Sequence, residues 1–156
     1  MKVWLLRHGE AEPARGRDAD RQLTEHGRYQ VRSMAALLAG QPLTQVLCSP
    51  YVRTRQTADE LLAALPGQHS PQVVPWLTPE DSPQAVVRQL DHMDGHNLLL
   101  ISHQPLLGLL GSWLCEGSLQ YPLAMSTASL ACLEGDHAVA GLMRLQSLNH
   151  AATAGR

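Results

Sequence analysis

Three short, mostly apolar runs in this chain lack the alternation of apolar and polar positions that a half-exposed strand shows. They cover residues 3–6, 45–48 and 98–102. Strands without alternation are buried on both faces and occur mainly in parallel sheets that helices cover on both sides. The runs therefore favour an α/β fold over an antiparallel sandwich or a helical bundle.

The segments between these runs predict helices and further strands. Helices are expected from Thr24, a good N-cap, to Gly40, and over residues 52–65, 83–93 and 106–114. A short strand is expected at 73–74, and two more at 128–133 and 139–148, joined as a hairpin across Gly135-Asp136. The whole pattern predicts a three-layer α/β/α sandwich, with a mostly parallel central sheet and an antiparallel C-terminal strand pair.

The size and charge of the chain narrow the classes of protein to which it can belong. With 156 residues we expect a single domain over 1–148, followed by a frayed tail at 149–156. A net charge of −2 gives no overall attraction for nucleic acid or for an anionic membrane. The first apolar run is too short for a signal peptide or a membrane span, so we expect a cytoplasmic protein.

Polar segments follow the three buried strands at the point where each strand ends. They are Arg7-His8-Gly9, Ser49 to Arg53, and Ser102-His103. In α/β sheets ligands bind beyond the carboxyl ends of the strands, so two histidines and two arginines are expected in one crevice. Such a cluster suits a tetrahedral dianion such as phosphate, and a neutral imidazole within it can attack phosphorus.

At these positions the sequence resembles the histidine phosphatase superfamily, which has a phosphoglycerate mutase-like fold. Residues 6–10, Leu-Arg-His-Gly-Glu, are similar to its Arg-His-Gly motif. Residues 49–58 look like its second motif, Ser-Pro-x-x-Arg-x-x-Gln-Thr, and Ile101-Ser102-His103 like its third. The three motifs occur in family order, and the resemblance extends over residues 2–148.

Within the superfamily, residues 21–24, 77–79 and 101–106 look most like the SixA-type phosphohistidine phosphatases, which act on a phosphohistidine of a signalling protein. This resemblance implies a phosphorylated protein, such as a histidine phosphotransfer domain, as the substrate. It implies no cofactor and no metal. The implied site comprises the nucleophile His8, the phosphoryl ligands Arg7, Arg53 and His103, and three further substrate-binding residues, Gly9, Arg21 and Gln104.

Two alternatives to a phosphohistidine phosphatase stay open. A small phosphate ester is a possible substrate, in which case Glu80 or Asp81 would serve as the general acid that an alkoxide leaving group requires. The segment 75–83 that contains them is short, and an imidazole leaves phosphorus more readily than an alkoxide, so both points favour phosphohistidine. The other alternative is a module that binds phosphate or a phosphoprotein without turnover.

Overall fold

The computed structural model describes residues 1–151, which form one six-stranded sheet flanked by helices. The strands are β1 (Lys2–Arg7), β2 (Gln45–Cys48), β3 (Pro71–Val73), β4 (Asn97–Ser102), β5 (Leu130–Glu134) and β6 (Arg144–Asn149). Their order is β3-β2-β4-β1-β5-β6; the first four are parallel, and β5 is antiparallel to both of its neighbours. The predicted α/β class and the antiparallel C-terminal pair are therefore confirmed.

Four α-helices connect the strands within residues 1–151. They are α1 (Glu25–Met34), α2 (Val52–Ala63), α3 (Pro83–Leu90) and α4 (Leu106–Glu116). The predicted N-cap Thr24 is confirmed, since its hydroxyl accepts from Gly27 N, and the hydroxyl of Ser82 caps α3 in the same way by accepting from Ala85 N. The first three helices end earlier than predicted, and a 3₁₀ turn over Ala35–Leu37 follows α1.

The core lies on both faces of the sheet, because alternate residues of β1 and β4 point to opposite sides. Leu5 and Leu100 pack with apolar residues of α3 and α4, whereas Leu6 and Ile101 pack with those of α1 and α2. Every residue of β4 is buried. Burying one such leucine or isoleucine stabilises the fold by about 1.5–3 kcal/mol relative to exposing it.

The C-terminal strand pair differs from the predicted tight hairpin. β5 ends at Glu134, which pairs with Arg144, so residues 135–143 form a loop instead of strand. Gly141 N donates to Trp113 O and Met143 N donates to Leu114 O. The backbone of this loop is thus satisfied by α4, which a pattern based on strand alternation does not reveal.

The predicted tail also begins too early. Asn149 belongs to β6 and pairs with Leu130, and the ring of His150 is hydrogen-bonded to Ser129. The rest of the predicted tail, residues 152–156, lies outside the described residues. Among residues 1–151, no helix combines the length and the apolar character of a membrane-spanning segment.

The parallel strands bring their carboxyl ends to one edge of the sheet. Arg7 of β1 is in register with Ser102 of β4, and Cys48 of β2 with Ile101. The ladder continues for one more residue, since His8 N donates to Ser102 O at 3.1 Å. The residues that follow these strands therefore meet at this edge.

Candidate active site

His8 follows β1 and lies at the centre of this edge. Its Nδ1 lies 2.7 Å from the carbonyl oxygen of Gly9, and its Nε2 lies 3.3 Å from Nε of Arg53. A carbonyl oxygen only accepts and an arginine only donates, so Nδ1 carries the proton and Nε2 carries the lone pair. Nε2 is therefore the nucleophilic atom.

The ring of His8 is neutral at physiological pH. Burial lowers its pKa from 6.5 to about 3, and the charges of Arg53 and Arg7 act in the same direction, against the hydrogen bond to Gly9, which raises it. The residue is only 6% exposed. A neutral imidazole, with a lone pair on one ring nitrogen, is the form that attacks phosphorus.

Arg53 lies in the first turn of α2 and is almost fully buried, at 4% exposure. Its guanidinium lies over the ring of Tyr51, 5.0 Å from the ring centroid. Nη1 donates to the carbonyl oxygen of Asp18 at 2.7 Å, and Nη2 donates to its carboxylate at 3.1 Å. A cation at a helix N-terminus opposes the helix dipole, and these contacts offset that cost.

Arg7 ends β1, and its charge acts on the ring of His8. Nη1 donates to the carbonyl oxygen of Met125 at 2.8 Å. Its Nε is buried and has no hydrogen-bond partner in the protein. Burial lowers the pKa of Arg7, and the charges of Arg53 and Arg21 act in the same direction. The three cationic side chains are therefore close enough to repel one another.

His103 follows β4 and is 1% exposed. Its ring lies edge-on to that of His8, with 5.3 Å between the centroids, and Nε2 lies 2.8 Å from the hydroxyl of Ser49. Nδ1 is buried and has no partner in the protein. Burial lowers the pKa of His103 to about 2, and the nearby His8 and Arg53 act in the same direction.

The arrangement of these four side chains suits an anion. Buried polar atoms almost always have hydrogen-bond partners, so the buried, unpaired Nε of Arg7 and Nδ1 of His103 indicate that a ligand supplies the missing partners. Two arginines beside one nucleophilic nitrogen can hold the oxygens of a tetrahedral dianion and stabilise its transition state. The structure brings His8, Arg53 and His103 together, and the charge of Arg7 acts on both histidines, while the catalytic roles of the four residues stay predictions.

Arg21 reaches this cluster only through another residue. Its Nε donates to the carbonyl oxygen of Glu12 and its Nη1 to the carboxylate of Asp18, which also binds Arg53. The side chain is 28% exposed. Arg21 therefore adds positive charge at the rim of the pocket.

Gly9 and Gln104 are both predicted to bind substrate, but their polar groups make hydrogen bonds to other parts of the protein. The backbone N–H of Gly9 donates to the hydroxyl of Thr57, and its carbonyl oxygen holds His8. The amide of Gln104 donates to Leu123 O and accepts from Gly108 N. These contacts give both residues supporting roles, Gly9 beneath the nucleophile and the Gln104 side chain at the start of α4.

The two candidate general acids differ in their surroundings. Oδ2 of Asp81 accepts from both the backbone N–H and the hydroxyl of Thr78, so this carboxylate closes a local turn. Glu80 is exposed. Ser102 donates to the carbonyl oxygen of Leu77 and so ties the same segment to the end of β4. Glu80 is therefore the freer of the two carboxylates.

Sequence reasoning missed Asp18 and the roles of Ser49 and Thr57. Asp18 lies in a polar loop without periodicity, so no pattern marked it. Ser49 and Thr57 belong to the second motif, and their spacing was the available signal: one follows β2 and contacts His103, and the other faces inward from α2 toward Gly9. Among residues 1–151, no group of three or more His, Cys, Asp or Glu side chains is placed to hold a metal ion.

In sequence, the chain is similar to known phosphatases. The family model described as "Histidine phosphatase superfamily (branch 1)" matches residues 3–77. The chain is 34% identical to phosphohistidine phosphatase SixA of Escherichia coli K12, over 94% of this chain and 92% of that protein. It is 31% identical to an adenosylcobalamin/alpha-ribazole phosphatase of Salmonella typhi, over 83% of each.

Solved structures of phosphatases also resemble this chain. A structure of the protein histidine phosphatase SixA complexed with tungstate superposes with a TM-score of 0.86 and 32% identity, covering 96% of this chain and 97% of the other. A mycobacterial glucosyl-3-phosphoglycerate phosphatase superposes with a TM-score of 0.74 at 18% identity, over 96% and 98% of the two chains. The second likeness concerns the fold alone.

Proposed function

Because the chain belongs to the histidine phosphatase superfamily, we propose that it hydrolyses the phosphohistidine of a partner protein through a phosphorylated His8. The observation that carries this proposal is the lone pair of His8 Nε2 beside Arg53, in a cluster where Nε of Arg7 and Nδ1 of His103 are buried without partners in the protein. The likeness to phosphohistidine phosphatase SixA supports the choice of substrate class.

The reaction proceeds in two steps. In the first, Nε2 of His8 attacks phosphorus, the bond between phosphorus and the substrate imidazole breaks, and the departing nitrogen keeps the electron pair and takes a proton from solvent. In the second, water attacks the phosphorus on His8 and the bond between phosphorus and Nε2 breaks, with its electron pair returning to Nε2. Inorganic phosphate leaves with one proton of the water, and the other proton passes to solvent. Arg7, Arg53 and His103 stabilise the phosphoryl oxygens in both steps.

The groups around the leaving group favour phosphohistidine. An imidazole that departs from phosphorus needs less help from an acid than an alkoxide does, and Asp81 is already engaged by Thr78. The segment between β3 and α3 is short, and the absence of a long insertion there suits a side chain presented by a protein. These features suit a macromolecular substrate.

A small phosphate ester is the second candidate, and the likeness to an adenosylcobalamin/alpha-ribazole phosphatase favours it. In that reaction Glu80 would donate the proton to the departing alkoxide, since its side chain is exposed. Glu80→Gln should then lower activity on sugar phosphates and leave phosphohistidine hydrolysis unchanged. Asp81→Asn is the matched control, since its carboxylate closes a turn.

The decisive experiment compares substrates and variants in one assay. Wild type, His8→Ala and His92→Ala, an exposed histidine on α3's C-terminal side, are tested on a phosphohistidine-bearing phosphotransfer domain and on a panel of sugar phosphates. We expect the wild type and His92→Ala to prefer the phosphoprotein and His8→Ala to be inactive. Activity confined to sugar phosphates would leave His8 as the nucleophile and would contradict phosphohistidine as the substrate.

Trapping the intermediate separates an enzyme from a binding module. Wild type mixed with labelled substrate and denatured at alkaline pH, where phosphohistidine survives, should carry label on the peptide that contains His8. Phosphate binding with no turnover and no labelled peptide would identify the non-catalytic alternative.

A further inference from the structure

The hydroxyl of Ser49 is fully buried at the end of β2 and contacts two groups. Its oxygen accepts from the backbone N–H of Tyr51 at 3.2 Å and lies 2.8 Å from Nε2 of His103. A serine hydroxyl has one proton to donate. Since Tyr51 N can only donate, the ring of His103 is the acceptor that this proton can reach.

The two neutral tautomers of His103 satisfy this pair differently. With the proton on Nε2, the ring donates to Ser49, and the buried hydroxyl proton is left without an acceptor in either contact. With the proton on Nδ1, the hydroxyl donates to Nε2 and both groups are satisfied. Because an unpaired buried donor costs free energy, the second arrangement is favoured.

We infer that Ser49 is a positioning residue that keeps the ring proton of His103 on Nδ1, so that this nitrogen donates to a phosphoryl oxygen. This inference rests on the proposed function for its last step and on hydrogen-bond geometry for the rest. Nδ1 is the buried ring atom without a partner in the protein. A phosphoryl oxygen only accepts, so a lone pair at Nδ1 would repel it.

The tautomer matters because the ring does not carry a charge. A charged imidazolium has a proton on both nitrogens and would donate whatever its neighbour did. Burial among Arg7, Arg53 and His8 lowers the pKa of His103 to about 2, so the neutral ring has a single proton. Its location then decides whether His103 attracts the phosphoryl group.

The first test measures the tautomer directly. Ring ¹⁵N spectra of wild type, Ser49→Cys and Ser49→Ala are recorded at neutral pH without phosphate. We expect a protonated Nδ1 in the wild type, a weaker preference in the cysteine variant, whose thiol is a poor donor, and a rise of the Nε2–H form in the alanine variant. Ser112→Ala, a buried serine on α4, is the matched control and should leave the His103 signals unchanged.

The second test measures the consequence for turnover. Ser49→Ala should lower kcat by up to about 100-fold, the low end of the loss that follows removal of one stabilising donor, and weaken inhibition by inorganic phosphate. In a His103→Asn background the same substitution should have no further effect, because its action passes through the ring. Thermal unfolding confirms that each variant is folded, and Ser49→Cys replaces Ser49→Ala where the alanine protein is not.

The outcomes separate this inference from the proposed function. A protonated Nε2 in wild-type His103, or a tautomer that Ser49→Ala leaves unchanged, would overturn the inference even in an active phosphatase. Equal losses from Ser49→Ala with and without His103 would overturn it as well. A tautomer that shifts as expected in a protein that hydrolyses no phosphorylated substrate would support Ser49's control of the ring and defeat the proposed function.

Discussion

Oδ2 of Asp18 lies 3.1 Å from Nη2 of Arg53, so the arginine assigned to the phosphoryl group already has a carboxylate partner. The other carboxylate oxygen binds Arg21. Burial raises the pKa of Asp18, but hydrogen bonds from Arg21 and Arg53 outweigh it, and the net shift is downward. Asp18 is therefore ionised at neutral pH and places a negative charge beside the anion site.

Removing this charge should strengthen binding of the product phosphate. Asp18→Asn keeps an oxygen that accepts from Arg53 and loses the repulsion between carboxylate and dianion. Because the Asp18 side chain is half-exposed and screened, we expect the inhibition constant of inorganic phosphate to fall only about 3- to 10-fold.

Asp20→Asn is the control for this substitution, since Asp20 lies in the same turn and pairs with exposed Arg17. Its inhibition constant should equal that of the wild type. Weaker phosphate binding in Asp18→Asn would mean that the carboxylate acts mainly by holding Arg53 in place.

The two buried histidines should make the fold sensitive to mild acid. His8 has a pKa of about 3 in the folded chain and about 6.5 when unfolded, so between these values the unfolded chain binds more protons. The contribution of His8 to the free energy of unfolding is therefore fully present above pH 6.5 and is lost as the pH falls toward 3. His103, whose pKa is lowered to about 2, acts in the same way.

Urea unfolding at pH 7 and pH 5 checks this expectation. Each histidine contributes a loss of at most about 1.4 kcal/mol per pH unit well below pH 6.5. His103→Asn should reduce the slope, because one titrating group is removed. Equal slopes in the variant and the wild type would show that His103 is not held neutral by the fold.

The sequence was most informative where burial was complete. The strands β1, β2 and β4 have no polar interruption, and the polar residues that end them had to meet once the strands were parallel. This reasoning located His8, Arg53 and His103. It did not identify Asp18, because a polar loop has no periodic pattern of apolar residues. The position of Asp18 depends on contacts with Arg53 and Arg21.

The C-terminal region was harder for a related reason. Gly135-Asp136 has the composition of a tight turn, yet the loop continues to residue 143 because α4 supplies its hydrogen-bond partners. Likewise, Asn149 looks like part of a polar tail but is held by Leu130 of β5. Local composition gives no information about a hydrogen-bond partner that is distant in the sequence.

Chelation should leave the activity intact. The positive charges at the site come from Arg7 and Arg53, which can stabilise phosphoryl oxygens without a metal ion. Turnover of a phosphohistidine protein should therefore be the same before and after dialysis against EDTA. A loss that Mg²⁺ or Zn²⁺ restores would show that a metal completes the site.

Gly9→Ala should damage both the fold and the nucleophile. A Cβ at Gly9 would lie 2.5 Å from the carbonyl oxygen of Gly27 in α1 and 3.0 Å from a methyl group of Val31. The backbone must shift to relieve this overlap, which costs about 1–3 kcal/mol in typical cores. The same backbone holds Nδ1 of His8, so its movement should lower kcat more than it raises KM.

Gly16→Ala is the matched control, because a Cβ at Gly16 meets no atom within 4 Å although the residue lies in the loop after β1. Urea unfolding and steady-state kinetics of the two variants separate close packing from a general effect of replacing glycine. We expect Gly16→Ala to match the wild type in both measurements. Wild-type stability and kcat in Gly9→Ala would contradict the prediction and would show that α1 yields without moving the backbone that holds His8.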